Sequence, residues 1–114
     1  MWSAQLARIV SHKVVFSPEA RDDLRQLYIY IAERAGDGRA MAYIERIETY
    51  CRGFSTFPER GTKRDDIRAN LRIKSYARRV VIAFSIDALN ASVAIHGVFY
   101  GGQNVERLLP EDES

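Results

Sequence analysis

Apolar positions change their period along this chain, and the changes mark out its elements. "HKVVFS" (His12 to Ser17) is a short β-branched and aromatic run and predicts a strand. From Ala20 onward the period lengthens. Ala20, Leu24, Leu27, Tyr28, Ile31 and Ala35 fall on one face, with Arg21, Asp22 and Arg25 opposite, which predicts an amphipathic helix to about Ala35. Ser17-Pro18 supplies a favoured N-cap and a favoured first helical residue, and Glu19 suits the positive end of the helix dipole. "GDG" (Gly36 to Gly38) stops the helix. A second stripe of Ala40, Tyr43, Ile44, Ile47, Cys51 and Phe54 predicts another helix over about Arg39 to Phe54. Two such helices with so short a link form an antiparallel hairpin.

After Phe57-Pro58 the period shortens to two. "NLRIKSY" (Asn70 to Tyr76) alternates as a half-buried strand. "RVVIAFSID" (Arg79 to Asp87) is apolar enough for a central strand, and "ASVAIHGVFY" (Ala91 to Tyr100) is the last. Gly101-Gly102 ends it, followed by a short helical turn. The order β-α-α-β-β-β predicts an α+β fold with the helical hairpin packed on an antiparallel sheet. The expected organisation is an extension over residues 1–12, one domain over 13–109 and an acidic tail over 110–114.

Composition narrows the classes. The chain has 114 residues, 46% hydrophobic and 28% charged, as an ordinary single globular domain has. One cysteine, Cys51, permits no internal disulfide. With only His12 and His96 far apart, no metal set is expected. No apolar run is long enough to span a membrane, and "MWSAQLARIVSHK" lacks a secretory signal, so a cytoplasmic location is expected. Cys51 lies on the second helical stripe and reads as inert core. His96 sits among apolar residues on the last strand and reads as a hydrogen-bonded structural group.

Charge is where the sequence becomes specific. The net charge is +2, but from Arg60 to Arg79 eight basic residues face two acidic ones. Such a field favours an acidic partner. In "FPERGTKRDDIRANLRI" (Phe57 to Ile73), Asp65 and Asp66 are expected to shape the loop through ion pairs and backbone bonds. The surplus cations Arg60, Lys63, Arg64, Arg68, Arg72, Lys74 and Arg79 are then left for recognition of a binding partner. Ile29 and Tyr30 fall off the core stripe of the first helix and invite a partner. Tyr28, Tyr43 and Tyr50 add aromatic surface to the hairpin.

The stretches "VVFSPEARDDLRQLYIYIAER", "GFSTFPERGTKRDDIRANLRI", "RRVVIAFSID" and "VFYGGQNVERLL" resemble, in order and spacing, the ParE branch of the RelE/ParE toxin superfamily over roughly Val14 to Leu109. These are toxins of bacterial type II toxin–antitoxin modules, also called plasmid stabilisation proteins. The resemblance implies the same fold, a ParD-like antitoxin as partner and DNA gyrase as target. It implies no cofactor, no catalytic residue and no sequence-specific binding of nucleic acid. The chain departs from the pattern in its extra N-terminal residues and in Gln103, where relatives often carry Arg. The alternative is a RelE-like ribosome-dependent mRNA endoribonuclease. On that reading Arg72, Lys74, Arg78 and Arg79 supply cations for a charged phosphorane and Tyr100 supplies an acid.

Overall fold

The computed structural model describes residues 12–101 and 105–108. The expected extension up to residue 11, Gly102, Gln103 and the acidic tail lie outside the described residues. The elements run β1 (Lys13–Phe16), α1 (Pro18–Ala35), α2 (Asp37–Arg52), a 3₁₀ turn (Gly53–Ser55), β2 (Thr62–Lys63), β3 (Leu71–Tyr76), β4 (Val80–Asp87), β5 (Ser92–Tyr100) and a second 3₁₀ turn (Val105–Leu108).

The start of α1 is chemical. Ser17 Oγ accepts the Ala20 N–H at 3.0 Å, and Pro18 occupies the first turn, where no intrahelical donor is needed. Gly36 alone links the helices, at φ +92°. Ala20, Leu24 and Leu27 on α1 and Ala40, Ile44, Ile47 and Cys51 on α2 are buried, as their spacing predicts. Ala35, at the last turn of α1, is exposed instead.

The sheet has five strands in the order β1-β5-β4-β3-β2. It is α+β as expected, but mixed rather than wholly antiparallel. β1 runs parallel to β5, from Lys13 opposite Ser92 to Phe16 opposite Ile95. The intervening helical hairpin provides the long crossover that a parallel pair requires. β2, only two residues long, extends the sheet beyond β3 through Thr62 opposite Ile73 and Lys63 opposite Arg72. Between β4 and β5 the register slips by one at His96, because Phe84 faces Ile95 whereas Ala83 faces Gly97. This is a β-bulge.

The two sheet faces are unequal. The larger core joins Phe16, the helix stripes and Phe54 to Val80, Ile82, Phe84, Val93, Ile95 and Val98. The opposite face carries a smaller cluster of Leu71, Ala83 and Phe99, covered by Ile67 from the charged loop and Leu108 from the last turn. That loop is therefore also a lid on apolar surface, held by one aliphatic side chain that is only 3% exposed.

Candidate functional site

Directly opposed residues in an antiparallel ladder share a face. Arg72 opposes Phe84, Lys74 opposes Ile82 and Tyr76 opposes Val80, and all three β4 residues lie in the larger core. Arg72, Lys74 and Tyr76 therefore point to the helix side, and Lys63, opposite Arg72, joins them. The helices share their core with β5, β1 and β4 and reach β3 through Tyr50, which packs on Tyr76. Lys63 is exposed and Arg72, Lys74 and Tyr76 are half-buried. The result is a cationic shelf flanking the hairpin.

Aromatic rings line the seam between shelf and hairpin. Tyr50 of α2 stacks on Tyr76 with ring centres 4.4 Å apart and meets Phe54 edge-on at 5.6 Å. Further along, Tyr43 meets Tyr100 edge-on at 6.2 Å, and Tyr100 lies 5.7 Å from Tyr30. Guanidinium groups sit over the rings: Arg34 over Tyr30 at 3.8 Å and Arg46 over Tyr43 at 5.7 Å. Burial, then the neighbouring Tyr100 and Tyr76, raise the Tyr43 hydroxyl above its ordinary pKa. A groove of about 590 Å³ opens where Tyr50 and Tyr76 meet Ala42, Glu45, Arg46 and Thr49.

The charged loop divides its cations. Arg64 makes a two-pronged pair with Asp66 at 2.9 and 2.8 Å. That pairing holds the Asp66 carboxyl below its usual range. Asp65 Oδ1 accepts the N–H of Asn70, which sits at φ +66°, at 2.8 Å. Arg60 turns inward, not outward. It donates to the carbonyls of Phe57 (2.7 Å) and Gly53 (3.4 Å) and lies 5.2 Å from the Phe54 ring centre. Arg72 donates to the Arg60 carbonyl at 3.1 Å. Gly61 is fixed by contact: a Cβ there would stand 2.1 Å from the Ile73 carbonyl oxygen, and its φ is +76°.

At the far end of the aromatic seam, Ile29, Tyr30, Arg34, Arg79 and Tyr100 line a cleft of about 810 Å³ between α1 and the end of β5. Its floor holds a feature that the sequence did not announce. Asp23 accepts the Val98 N–H at 2.9 Å and pairs with Arg107 through both oxygens at 3.0 and 2.7 Å. The Arg107 guanidinium also lies 4.5 Å from the Phe99 ring centre. A Cβ at Gly97 would meet that ring at 2.8 Å, so glycine is needed for the approach. His96, at the bulge, shares a 2.8 Å hydrogen bond with Ser85 Oγ. Burial and then the Arg68 charge hold its imidazole below the ordinary value.

The structure gathers Lys63, Arg72 and Lys74 on one face and Ile29, Tyr30, Arg79 and Tyr100 around the other cleft. It does not bring the two sets to one point. Tyr100 opposes Val80, which opposes Tyr76, so Tyr100 stands two strands from β3, roughly 10 Å across the sheet. Arg78 is exposed in the turn after β3, and Arg68, within the charged loop, lies near His96. Among the described residues no group of three or more His, Cys, Asp or Glu stands ready to hold a metal. No helix among them is long and apolar enough to cross a membrane.

Cys51 is fully buried, and burial pushes its thiol up to about 12. The native protein is expected to resist a thiol reagent such as DTNB at pH 8, reacting fully only in denaturant. Reaction of the folded chain within seconds would contradict this packing.

The comparisons with known proteins agree with this architecture. The model of the family described as "ParE toxin of type II toxin-antitoxin system, parDE" matches residues 14–105. Among curated proteins none matches. Among solved structures the chain is similar to one described as a chromosomal ParDE toxin–antitoxin system from P. aeruginosa, at 14% identity and TM-score 0.69, over 81% of this chain and 98% of that one. It is also similar to one from the toxin–antitoxin complex RelBE2 of Mycobacterium tuberculosis, at 20% identity and TM-score 0.60, over 82% and 94%. At those identities the structures speak for the fold alone. The family model spans most of the chain, and with it the hairpin, the sheet and the charged loop between them: the chain belongs to the ParE toxin family of type II toxin–antitoxin systems.

Proposed function

We propose that this ParE-family toxin inhibits DNA gyrase by binding it in the bacterial cytoplasm, catalyses nothing itself, and is neutralised by a ParD-like antitoxin. The observation that carries this reading is the position of Tyr100. A phenol acting as general acid must sit within hydrogen-bond reach of the leaving group while cations hold the phosphorane. Here its ring is engaged by Tyr30 and Tyr43, and Lys74 and Arg72 lie two strands away. Tyrosine and arginine over a wide, shallow surface suit recognition instead, since these residue types dominate binding energy at interfaces. Ile29 and Tyr30, 41% and 44% exposed, and the cations Lys63, Arg68, Arg72, Lys74 and Arg79 give an acidic, foldable antitoxin segment both apolar and electrostatic purchase. Arg60 and Arg64 contribute by fixing the loop that presents Lys63, as do Asp65 and Asp66.

One observation favours the second reading, a RelE-like ribosome-dependent endoribonuclease: Arg72, Lys74 and Tyr100 all project to the helix side of the sheet. One experiment separates the two. Purified protein is added to gyrase with relaxed plasmid and, in parallel, to programmed ribosomes. Loss of supercoiling with accumulation of cleaved DNA, and intact mRNA, is the expected result. Unimpaired supercoiling together with mRNA cut at the ribosome overturns it.

A further inference from the structure

The turn Val105–Leu108 is held beside the charged loop from two sides. Leu108 and Ile67 are both buried and share one apolar cluster with Leu71, Ala83 and Phe99. Arg107 is tied to Asp23 through both carboxylate oxygens and lies over the Phe99 ring. The chain therefore leaves Leu108 at a fixed point next to the loop. Leu109, Pro110, Glu111, Asp112, Glu113 and Ser114 follow, with three acids and no base. Pro110 biases Leu109 against helical geometry. An extended segment then carries the three acids at most about 10 to 17 Å from Leu108. The loop supplies the opposite charge. Over residues 60–79 eight basic residues face two acids, and both acids are engaged within the loop, Asp66 by Arg64 and Asp65 by the Asn70 N–H. Neither Lys63 nor Arg68 is paired with a carboxylate among the described residues. Arg68 directly follows Ile67, the residue that shares its cluster with Leu108.

We infer that the acidic tail, residues 110–114, folds back on the charged loop of its own chain, with Glu111, Asp112 and Glu113 against Arg68 and Lys63, and holds that cationic surface until an acidic partner displaces it. Charge sign, reach and point of departure all favour this occupant. Exposed ion pairs contribute little one at a time. A tether of a few residues changes that, because it sets an effective concentration of order millimolar and lets three acids act together. A second copy of the chain has no such advantage. The inference uses cations that the antitoxin reading also uses, but it rests neither on that reading nor on gyrase as the target.

The test is paramagnetic broadening in the whole chain. Ser114→Cys gives a site for a nitroxide label, and the fully buried Cys51 is spared. At about 50 mM salt the label is expected to weaken the amide signals of Ile67 and Arg68 about twofold or more, and those of α2, on the other side of the sheet, far less. Raising salt to about 0.5 M should restore the signals, because screening then acts within a few ångströms. Excess polyglutamate should restore them too, as should the triple variant Glu111→Gln, Asp112→Asn and Glu113→Gln. On the loop side, Arg68→Gln and Lys63→Gln should each recover part of the signal and the pair nearly all of it. Arg68 is half-buried, so Lys63→Gln, at an exposed position, keeps the test independent of folding. Equal or absent broadening at the loop and α2 overturns the inference. So does broadening that survives high salt, the triple variant or the Lys63 and Arg68 pair, which marks apolar contact by Leu109 and not the acids. Spin-labelled chain is also mixed with isotope-labelled chain that carries no nitroxide. Silence in that mixture supports docking within one chain, and broadening there overturns it in favour of contact between copies.

Discussion

Phe54→Ala is expected to lower the free energy of unfolding by about 4 kcal/mol, a large share of the roughly 5–15 kcal/mol that holds a typical domain folded. Phe54 is fully buried where α2 hands over to the 3₁₀ turn. Its ring lies 4.4 Å from Phe84 on the central strand β4 and 5.6 Å from Tyr50. It also underlies the Arg60 guanidinium, so truncation removes the seat that holds the charged loop. The cost has two parts, lost transfer of a large ring and a cavity that the rigid sheet cannot collapse around. Phe54→Leu, which keeps most of the volume, should cost less than about half as much. Urea unfolding checks both. The midpoint should fall with the slope unchanged, and a Phe54→Ala variant within 1 kcal/mol of the parent would mean the ring is not central.

Asp23→Ala is expected to cost about 2–3 kcal/mol, lowering the melting temperature by roughly 10 °C. β1 ends at Phe16, so beyond Ile95 the outer edge of β5 has no strand beside it. Asp23 takes the place of that strand by accepting the Val98 N–H. Its removal leaves a backbone donor unsatisfied and releases Arg107, whose burial is partial and whose pair is therefore worth only part of the total. Asp23→Asn retains an acceptor for Val98 and loses the charge, so it should cost about half as much. Hydrogen exchange at the Val98 amide distinguishes the two, being fast in the alanine variant and slow in the asparagine one.

The helices were legible because their signals are local. Ser17-Pro18 starts α1 by its own chemistry, and the buried positions of both helices repeat at helical spacing. β3, β4 and β5 were legible from alternation and apolar density. The family was legible from the order of four stretches, and the model match over 14–105 agrees with it. What stayed hidden depends on contacts distant in sequence. β2 has two residues and no period to show. The parallel pairing of β1 is decided by where the crossover returns, not by the strand's own residues. Ile67 looks like one apolar residue among charges until Leu71, Ala83 and Phe99 are seen beneath it. Asp23 is one of two adjacent aspartates, and nothing nearby tells which meets Val98. Arg60 counts as a free cation in any tally of charge. Only the rings of Phe54, Tyr50 and Phe57 around it turn it into part of the packing.

The parallel pairing of β1 with β5 bears on the order in which this protein folds as it is made. β1 waits for β5, which lies far along the chain, and closing so long a chain segment is the slow step of such topologies. On the ribosome α1 and α2 emerge before β3, β4 and β5, and the sheet cannot be completed until Ser92 to Tyr100 has left the exit tunnel.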